Sequence, residues 1–527
     1  MTSSGPDESL GIDDLWGLIE ARADATPDAL LAVDELDRVL TFGEYRERCR
    51  RQAQSLEPFG IGAGTVVSWQ LPTWLESLVL VGALSRLGAV QNPILPICRE
   101  REVGFMVRQT GAQFLLVPGP DPWRGFDYVG MAKDLGASLD GKPEVLQVAR
   151  GREAVWAISR PLAEEIAQTN RWRGNPDVRW IFYTSGTTAD PKGALHTDAT
   201  VAAAARGVND AFETTPSDRF AMVFPFTHVG GIQSLFGFLD VGSGSIWTEA
   251  FEPHATVELL RKHGVTIAAA GTAFWLAYLA VQREQPGTPI FPNLRLCGGG
   301  GSPKPPTLDA EVRDEMGGIG VVNGYGLTEC PSHCLNTVRD PAEKRAVTEG
   351  RPTAGVEIRI TAPDGTVLPA EAEGEIRVRA RQLCLGYVDA SLDTDAFDAD
   401  GFFRTGDLGR FDADGYLVIS GRLKDIIIRK GENISAKEVE DLLYEHPSVA
   451  DVAVVGLADP ERGERACAVV VPAPGTPPFT MSVMTKWCVD HGLMTQKIPE
   501  QLELVDKLPR NPSGKVVKQE LRARFED

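Results

Sequence analysis

Hydrophobic and polar residues alternate along the first 330 positions in patterns that predict helices and strands in turn. Apolar positions recur at helical spacing from Thr73 to Leu87, and the run GAVQNPILP that follows is predicted as a strand. A helix over residues 101–110 and a strand over AQFLLVPG repeat this order, after amphipathic helical patterns over residues 12–60. Such alternation predicts parallel-type sheets with covering helices.

One strand of this series leads into a loop of unusual composition. The segment VRWIFYTSG is a nearly continuous apolar run that ends in glycine, which predicts a buried strand. In open α/β sheets, ligands gather at the carboxyl ends of the strands. The loop that follows this strand is therefore a candidate binding site.

The pattern changes after about residue 350. Short strands are predicted for VEIRIT, EGEIRVRA and GYLVISG, and the turn signals PDG and ADG separate them. Beyond Lys424 the sequence predicts a small α/β unit, with a helix from Ala436 to Glu445 and strands over VADVAVVG and ACAVVVP. We predict an α/β fold with a large N-terminal domain over residues 1–421, which includes the β-rich subdomain, and a small C-terminal α/β domain over residues 422–527.

Composition narrows the class of protein. The chain of 527 residues is too long for one core, and its net charge of −20, with no run of Lys or Arg, disfavours a nucleic-acid partner. The polar, acidic first residues do not resemble a signal peptide, and the apolar stretches are too short to cross a bilayer. We expect a cytoplasmic enzyme without stable membrane insertion.

The eight cysteines point away from disulfide or zinc chemistry. They form no CxxC pair, which argues against a disulfide scaffold or a zinc ribbon and favours a reducing compartment. The cluster Cys330-Pro-Ser-His333-Cys334 lacks a second pair of ligands at suitable spacing. We interpret it as a packed loop.

The candidate loop, YTSGTTADPKG, concentrates small hydrogen-bond donors near one positive charge. Backbone N–H groups of a Gly/Ser/Thr-rich turn can form an anion-binding nest, and Lys192 supplies a point charge. This composition suits a polyphosphate, with an ordinary polar turn as the alternative, and it is not the Walker pattern. The hydroxyl donors are those of Thr184, Ser185, Thr187 and Thr188.

Four further motifs lie downstream. In NGYGLTE, Tyr325 can stack on a base, while Thr328 and Glu329 can hold Mg²⁺. In RTGDLG, Asp407 lies beside glycines, where one carboxylate can accept hydrogen bonds from both hydroxyls of a ribose.

The last two motifs supply cations. GRLKD contains Arg422, a candidate ligand for ribose or phosphate. PRNPSGK places Lys515 on a glycine-containing turn near the end of the chain, although a solvated lysine is the usual role of such a residue.

These five motifs, in this order, resemble those of the adenylate-forming superfamily of acyl-CoA synthetases, carrier-domain adenylation enzymes and firefly luciferase. The resemblance covers about residues 12–524, nearly the whole chain. It implies activation of a carboxylic acid with ATP, followed by transfer of the acyl group to a thiol, and a mobile small domain. ATP, Mg²⁺ and coenzyme A are the implied cofactors.

The resemblance also implies roles for individual residues. Lys515 matches the lysine that contacts the carboxylate and the α-phosphate, Lys424 matches the hinge, and Thr184 and Glu329 are the implied metal ligands. The implied catalytic residues are Lys515, Glu329, Thr184, Lys192 and His228. The implied cofactor ligands are Thr184, Ser185, Gly186, Thr187, Thr188, Lys192, Gly299, Gly300, Gly301, Asn323, Gly324, Tyr325, Gly326, Thr328, Asp407, Arg422, Gly431 and Lys515.

Three positions depart from the family's pattern. Ala189 stands where the phosphate loop usually has glycine, Asp198 where a histidine often follows that loop, and Phe403 where tyrosine or tryptophan is common. None of these changes removes a charged catalytic group. They bear on loop flexibility and pyrophosphate affinity rather than on the class of reaction.

The acid-binding slot is predicted to be apolar. His228, in FPFTHVGG, matches a histidine near the acyl pocket of related synthetases, with a core histidine as the alternative. Gly230, Gly231, Thr272 and Phe274 are predicted to shape the slot, and these segments contain no Lys or Arg. Medium-chain, alicyclic, aryl and steroid side-chain acids all stay open.

The predicted function is that of an AMP-forming acyl-CoA synthetase. The chain ends twelve residues after Lys515 without a fused carrier domain, which favours free CoA as the acceptor. One alternative is a stand-alone enzyme that loads a carrier protein in trans. Another is a non-catalytic nucleotide-binding relative, against which Glu329, Asp407 and Lys515 argue. We expect a monomer or a homodimer.

Overall fold

The protein has a mixed α/β fold, which confirms the predicted fold class. The computed structural model describes residues 9–139, 143–151, 155–157, 175, 177–184, 191–302, 304–429, 432–510 and 515–526. Over these residues the strands form four sheets, of seven, nine, four and five strands. The first three sheets lie before residue 423 and the last one after it.

The helices range from single turns to four turns. Within the described residues they are α1 Leu15–Ala25, α2 Phe42–Leu56, α3 Leu75–Arg86, α4 Glu100–Thr110, α5 Tyr128–Ser138, α6 Asp198–Phe212, α7 Val229–Val241, α8 Pro253–Lys262, α9 Thr272–Glu284, α10 Leu308–Glu311, α11 Ala342–Val347, α12 Asp393–Ala396, α13 Ala436–Tyr444, α14 Met481–Asp490 and α15 Lys518–Phe525. None of the helices in the described ranges is long and apolar enough to cross a membrane.

The strands alternate with these helices in the first part of the chain. They are β1 Leu30–Asp34, β2 Val39–Thr41, β3 Val66–Trp69, β4 Val90–Pro93, β5 Phe114–Pro118, β6 Glu144–Val148, β7 Val155–Ala157, β8 Val178–Tyr183, β9 Gly193–Thr197, β10 Arg219–Met222, β11 Gly244–Trp247, β12 Ile267–Ala268, β13 Leu296–Gly300, β14 Val321–Tyr325, β15 Cys334–Leu335, β16 Arg351–Pro352, β17 Glu357–Thr361, β18 Gly374–Arg379, β19 Phe403–Phe411, β20 Leu417–Arg422, β21 Ile426–Arg429, β22 Glu432–Ser435, β23 Val449–Asp459, β24 Gly463–Pro472 and β25 Gln501–Leu504.

The seven-stranded sheet has the order β7-β6-β5-β3-β4-β8-β9. Its inner strands run parallel, whereas β7 and β9 pair antiparallel at the two edges. Strands of a parallel sheet that is covered on both faces are apolar along their length. β8 fits this rule, since Trp180, Ile181 and Phe182 are all buried, as the sequence predicted.

The nine-stranded sheet has the order β16-β15-β14-β13-β12-β10-β11-β1-β2. A hydrophobic cluster that includes residues of α3, α6 and α7 packs together with residues from both large sheets. This packing positions α7 beside β10, and Phe212 at the end of α6 packs with Leu296 of β13 and Val322 of β14.

Two strands lie where the sequence predicted amphipathic helices over residues 12–60. β1 and β2 lie between α1 and α2, and β1 pairs in parallel with β11, so that Ala32 lies opposite Ser245. The helical prediction was wrong for these residues. Pairing with a strand more than 200 residues away leaves little local signal in so short a segment.

The remaining two sheets correspond to the short strands predicted after about residue 350 and to the small α/β unit predicted beyond Lys424. β17 to β20 form an antiparallel sheet, and β21 to β25 with α13, α14 and α15 form the small α/β unit. β20 ends at Arg422, and one turn of 3₁₀ helix, Leu423–Asp425, connects it to β21. The predicted boundary between residues 421 and 422 thus falls one residue before the change of sheet.

Candidate active site

Two of the predicted motifs meet at one edge of the nine-stranded sheet. β13 and β14 are parallel neighbours, and their register places Gly300 opposite Gly324. Asn323, in the same motif, donates from Nδ2 to Glu349 (2.5 Å). The glycine turn, Gly299–Gly301, and the NGYGLTE motif therefore lie side by side, as expected for adjacent carboxyl ends of parallel strands.

Two residues of the glycine turn, Gly299 and Gly300, leave no room for a side chain. A Cβ on Gly299 would lie 1.9 Å from the carbonyl oxygen of Ala270, and one on Gly300 would lie 2.1 Å from that of Gly324. Both obstacles are backbone atoms, which cannot move aside as a side chain can. The two glycines therefore let the backbone around Ala270 and Gly324 approach β13 closely, and no side chain projects from this part of the turn.

Asp407 is held by two of the other predicted nucleotide ligands. It is buried on β19, where the hydroxyl of Tyr325 donates to Oδ2 (2.7 Å) and Nε of Arg422 lies 2.8 Å from Oδ1. β19 and β20 are antiparallel, and their register sets Asp407 directly opposite Arg422. A carboxylate has about four acceptor positions, so Asp407 retains the capacity to accept from ribose hydroxyls.

Glu329 is positioned by a residue that the motif analysis missed. The hydroxyl of Tyr387 donates to Glu329 Oε1 (2.5 Å), and both residues are buried. Lys192 lies 5.3 Å from the centre of the same tyrosine ring, within the range of a cation–π contact. Tyr387 therefore connects the phosphate loop's lysine with the carboxylate of NGYGLTE.

The phosphate loop is described only at its two ends. The backbone N–H of Thr184 donates to the carbonyl of Lys192 (3.0 Å), which continues the antiparallel pairing of β8 with β9. The side chain of Lys192 is exposed. Ser185, Gly186, Thr187, Thr188 and Ala189 lie outside the described residues.

A second residue absent from the motif analysis supports Thr328. The ring of His196, buried on β9, contacts the carbonyl oxygen of Thr328 through Nε2 (2.9 Å) and Thr200 Oγ1 through Nδ1 (2.9 Å). Burial lowers the pKa of His196 to about 4, so the ring is neutral at pH 7. It links the strand after the phosphate loop to NGYGLTE.

A cavity of about 200 Å³ opens at the glycine turn. It is lined by Phe220 and Phe224, by Gly230 of α7, and by residues of both glycine-rich motifs, with His228 and Phe274 among them as predicted. The prediction for Gly231 was wrong, because that residue faces Phe226, whose carbonyl oxygen would lie 2.5 Å from a Cβ there. Thr272 is buried and does not belong to the lining.

His228 has both a structural and a site-facing role. Its Nδ1 accepts from the backbone N–H of Gly230 (3.1 Å), which caps the first turn of α7. Burial, with a smaller effect of the nearby Lys515 charge, lowers the pKa of His228 to about 4. The ring is therefore neutral, and because Nδ1 accepts, Nε2 carries the proton and is a donor at the cavity wall.

Lys515 lines the same cavity, although it comes from the last residues of the chain. Its Cε would lie 4.0 Å from a Cβ on Gly301. Desolvation, helped by the charge of Arg422, lowers the pKa of Lys515 to about 8, against the opposing effect of Asp407 and Glu329. A cation thus lies at the cavity beside Gly301, close enough to Asp407 and Glu329 for their charges to act on it.

The residues around Glu329 fit a single Mg²⁺ site that a polyphosphate would complete. Glu329 is buried, and Tyr387 fixes one of its two carboxylate oxygens. Mg²⁺ is usually held by one or two carboxylates together with substrate phosphates and water, not by an all-protein cage. The described residues contain no group of three or more His, Cys, Asp or Glu side chains that could hold a metal ion.

Asp198 and the cysteine cluster have structural roles. Trp180 Nε1 and the backbone N–H of Leu15 each donate to one oxygen of the buried Asp198, so this residue ties α1 and α6 to β8. Burial raises the pKa of Asp198 to about 6. Cys330, His333 and Cys334 are buried, as expected of a packed loop.

The predicted hinge lies at the change of sheet. Lys424 is the exposed central residue of the 3₁₀ turn between β20 and β21. Across this turn, the hydroxyl of Ser435 in the small unit donates to the carbonyl of Ser420 (2.5 Å). Gly431 lies outside the described residues.

The chain matches two family models in succession. A model described as AMP-binding enzyme matches residues 19–388, and a model described as AMP-binding enzyme C-terminal domain matches residues 438–515. Together they cover both large sheets and the segment that ends at Lys515. Residues 389–437, which include the change of sheet, lie between the two matches.

Curated and solved relatives cover nearly the whole chain. It is 31% identical to the medium-chain fatty-acid–CoA ligase of Escherichia coli over 97% of this chain and 89% of that protein. It is 32% identical to the salicyl-AMP ligase / salicyl-S-ArCP synthetase of Mycobacterium tuberculosis over 93% of this chain and 87% of that protein. The crystal structure of ATP-bound MatB from Rhodopseudomonas palustris superposes with a TM-score of 0.84 at 26% identity, over 97% and 99% of the two chains. The chain therefore belongs to the AMP-binding enzyme family, within the adenylate-forming superfamily.

Proposed function

We propose that this protein is an AMP-forming acyl-CoA synthetase for a carboxylic acid that is apolar and uncharged apart from its reacting carboxylate. The observation that carries the proposal is the position of Lys515, a cation at one end of a largely apolar cavity, beside the predicted nucleotide ligands. An acid placed with its apolar part in the cavity has its carboxylate directed towards this cation.

The first half-reaction needs a positive charge at this place. A carboxylate oxygen attacks the α-phosphorus of ATP, the bond to the pyrophosphate oxygen breaks, and acyl-AMP and pyrophosphate form. Two anions must approach each other for this step. The charge of Lys515, in a partly desolvated site, stabilises their approach and the charge that develops on the α-phosphate.

The large domain supplies the remaining contacts with the nucleotide. Asp407, which Arg422 and Tyr325 contact, would accept from ribose hydroxyls, and Lys192, beside Tyr387, would neutralise phosphate charge. Thr184 and Glu329 would hold Mg²⁺, which neutralises charge on the phosphate oxygens when it is bound.

In the second half-reaction the thiol sulfur of CoA attacks the acyl carbon, the thiol proton passes to solvent, the carbon–oxygen bond to AMP breaks, and a thioester and AMP form. This step needs no nucleophile from the protein. It needs a path for the thiol to the acyl carbon while Lys515 lines the cavity in the present arrangement. We propose that rotation of the small domain about Lys424 opens this path, with the loop around Gly431 replacing Lys515 near the site.

A second acceptor is supported by one of the relatives. The Mycobacterium tuberculosis protein has salicyl-S-ArCP synthetase among its names, so a family member at the same level of identity is named for an acceptor other than CoA. Transfer to a carrier protein in trans is therefore the alternative that we retain for this chain.

Two assays test the proposal in sequence. Acid-dependent exchange of labelled pyrophosphate into ATP should occur with a fitting acid, and it needs no acceptor. Thioester formation should then be faster with CoA than with a carrier protein. Failure of every acid in a broad panel to support exchange would contradict adenylation, whereas transfer only to a carrier would replace CoA as the acceptor.

A further inference from the structure

We infer that the acyl cavity is closed by Phe212 and Leu335 and admits an acid no longer than about one six-membered ring beyond its carboxyl group. This inference rests on the proposed function and specifies its substrate class. The floor of the cavity, as used below, consists of Phe212 at the end of α6 and Leu335 of β15.

The floor is fitted to two glycines of the sheet. A Cβ on Gly298 would lie 2.6 Å from the ring of Phe212, and a Cβ on Gly324 would lie 2.0 Å from Cδ2 of Leu335. Each glycine therefore lets a large side chain lie directly on the strand. Both side chains line the cavity, so they bound it where it passes Gly298 and Gly324.

The floor is also supported from behind. Phe212 and Leu335 are 3% and 5% exposed and belong to one buried cluster with Ile267, Leu296 and Val322. A side chain backed by packed core residues cannot swing away without opening a void, which costs free energy in a close-packed interior. The floor is therefore a fixed wall and not a movable gate.

The distance between the two ends of the cavity can be estimated from positions along and just after β13. Lys515 approaches at Gly301, and Phe212 covers Gly298, three residues earlier. Gly298 and Gly300 lie in β13 and Gly301 follows directly, so at the rise of a strand the three residues span at most roughly 10 Å. A carboxyl group attached to one six-membered ring, or to a chain of similar length, fills this distance, whereas a long-chain fatty acid exceeds it.

The volume supports the same limit. The cavity measures about 200 Å³, whereas a cavity of roughly 150 Å³ lined by apolar side chains is large enough to bind benzene. Part of the present volume lies beside Lys515 and Thr328 and belongs to the reacting carboxylate. The remainder suits a single ring, and the apolar side chains around it exclude a second charged group on the acid.

The test compares acids of increasing length in the pyrophosphate-exchange assay. Benzoate, cyclohexanecarboxylate and hexanoate should support exchange, and kcat/KM should fall by at least about tenfold for dodecanoate and hexadecanoate, since even one misfitting methylene can cost that much. Phe212→Ala should raise kcat/KM for the longer acids by about tenfold or more. Phe212→Leu, a milder change, should act in the same direction if the alanine variant does not fold.

Two further variants make the test decisive. Val208→Phe, which adds volume at another lining position, should reduce exchange with the ring acids more than with acetate. Phe291→Ala, a truncation of an equally buried phenylalanine outside the cavity, should leave the ranking of acids unchanged. Equal kcat/KM for hexadecanoate and benzoate in the unaltered enzyme, or an unchanged ranking in both Phe212 variants, would overturn the inference alone. Absence of exchange with every acid would overturn the proposed function and the inference together.

Discussion

At the scale of single residues, the proposed mechanism assigns to Lys515 the stabilisation of the negative charges that meet in the first half-reaction. Lys515→Ala should reduce acid-dependent pyrophosphate exchange by about 10²–10³, the usual effect of removing such a group. Thioester formation from preformed acyl-AMP should be largely retained, because that step does not bring two anions together. The exposed Lys507 offers a control, since Lys507→Ala should change neither rate. Exchange at the normal rate in the Lys515 variant would exclude this role.

The same lysine predicts a pH dependence. Because burial lowers its pKa to about 8, Lys515 is charged below that pH and loses its charge above it. The pH profile of kcat/KM reports groups of the free enzyme, so kcat/KM for the acid should fall as the pH rises through about 8. In Lys515→Arg, which keeps its charge, this fall should disappear from whatever activity remains. A profile that stays flat up to pH 10 in the unaltered enzyme would contradict the prediction.

Two variants of His228 distinguish its role as the cap of α7 from its proposed contact with the acid. His228→Ala should change the ranking of acids in the exchange assay, and it should also cost about 0.5–2 kcal/mol of stability through loss of the α7 cap. His228→Asn keeps a capping oxygen but lacks the Nε2 donor at the cavity wall. We therefore expect the asparagine variant to be stable and still altered in acid preference. An unchanged ranking in both variants would remove His228 from the acid site.

Tyr387 tests the metal site. Tyr387→Phe removes the hydrogen bond that orients Glu329, and loss of such a supporting bond typically weakens metal binding by about 10–100-fold. The Mg²⁺ concentration that gives half-maximal exchange should rise accordingly. Tyr416→Phe is the matched control, since Tyr416 also donates to a carboxylate, that of Asp340, outside the cavity. The same Mg²⁺ requirement in all three enzymes would argue against Glu329 as a metal ligand.

Candidate site residues could be predicted from the sequence where they belong to a short local motif. Lys515, Asp407 and Arg422 each lie in a short pattern of glycine and charge, and the structure brings all three towards one cavity. Tyr387 and His196 have no such pattern, and their partners lie 58 and 132 residues away. Contacts of this kind depend on how sheets meet, which local spacing does not encode.

At the scale of elements, we propose that the turn between β20 and β21 absorbs the rotation of the small domain. Lys424 lies in a 3₁₀ turn, and a proline at this position fixes φ near −65°, a value typical of such turns, and also restricts Leu423 before it. Lys424→Pro should therefore hold the small domain in the arrangement seen here, with Lys515 in the cavity. We expect it to keep pyrophosphate exchange and to lose most thioester formation.

Lys424→Ala provides the comparison for this hinge prediction. It removes the side chain but leaves the backbone free, so both half-reactions should proceed nearly as in the unaltered enzyme. Stopped-flow measurement of acyl-AMP conversion to thioester distinguishes the two variants. Acyl-CoA formation at the normal rate in the proline variant would mean that the small domain does not need to rotate at this residue.

Element prediction succeeded where periodicity and pairing agree. The segments that became α3, α4 and β8 carry strong local patterns and were predicted to within a few residues. β1 and β2 were missed because β1 is fixed by its pairing with β11 and not by its own sequence. The floor of the acyl cavity was equally invisible, since it forms only where α6 and β15 pack onto β13 and β14.

At the scale of the whole molecule, the two domains have separate hydrophobic cores. Leu443→Ala, in the core of the small domain, should destabilise that domain by about 2–5 kcal/mol. Calorimetric unfolding should then show a low-temperature transition that ATP does not shift, while ATP affinity of the large domain changes little. Leu235→Ala, in the large-domain core, should instead weaken nucleotide binding on heating. A single transition that shifts equally in both variants would show that the domains unfold as one unit.

Lys515 is the one member of the described cavity lining that comes from beyond residue 335. This placement has a consequence for how such a protein can change during evolution. Under the proposed function, substitutions between residues 208 and 335 can alter which acid fits while Lys515 stays in place, and substitutions in the small domain can alter the acceptor without altering the acid. Two traits that selection must often adjust separately are thus encoded in separate stretches of the gene. Exchange of residues 423–527 between two relatives should accordingly transfer the preference for an acceptor and leave the choice of acid with the recipient.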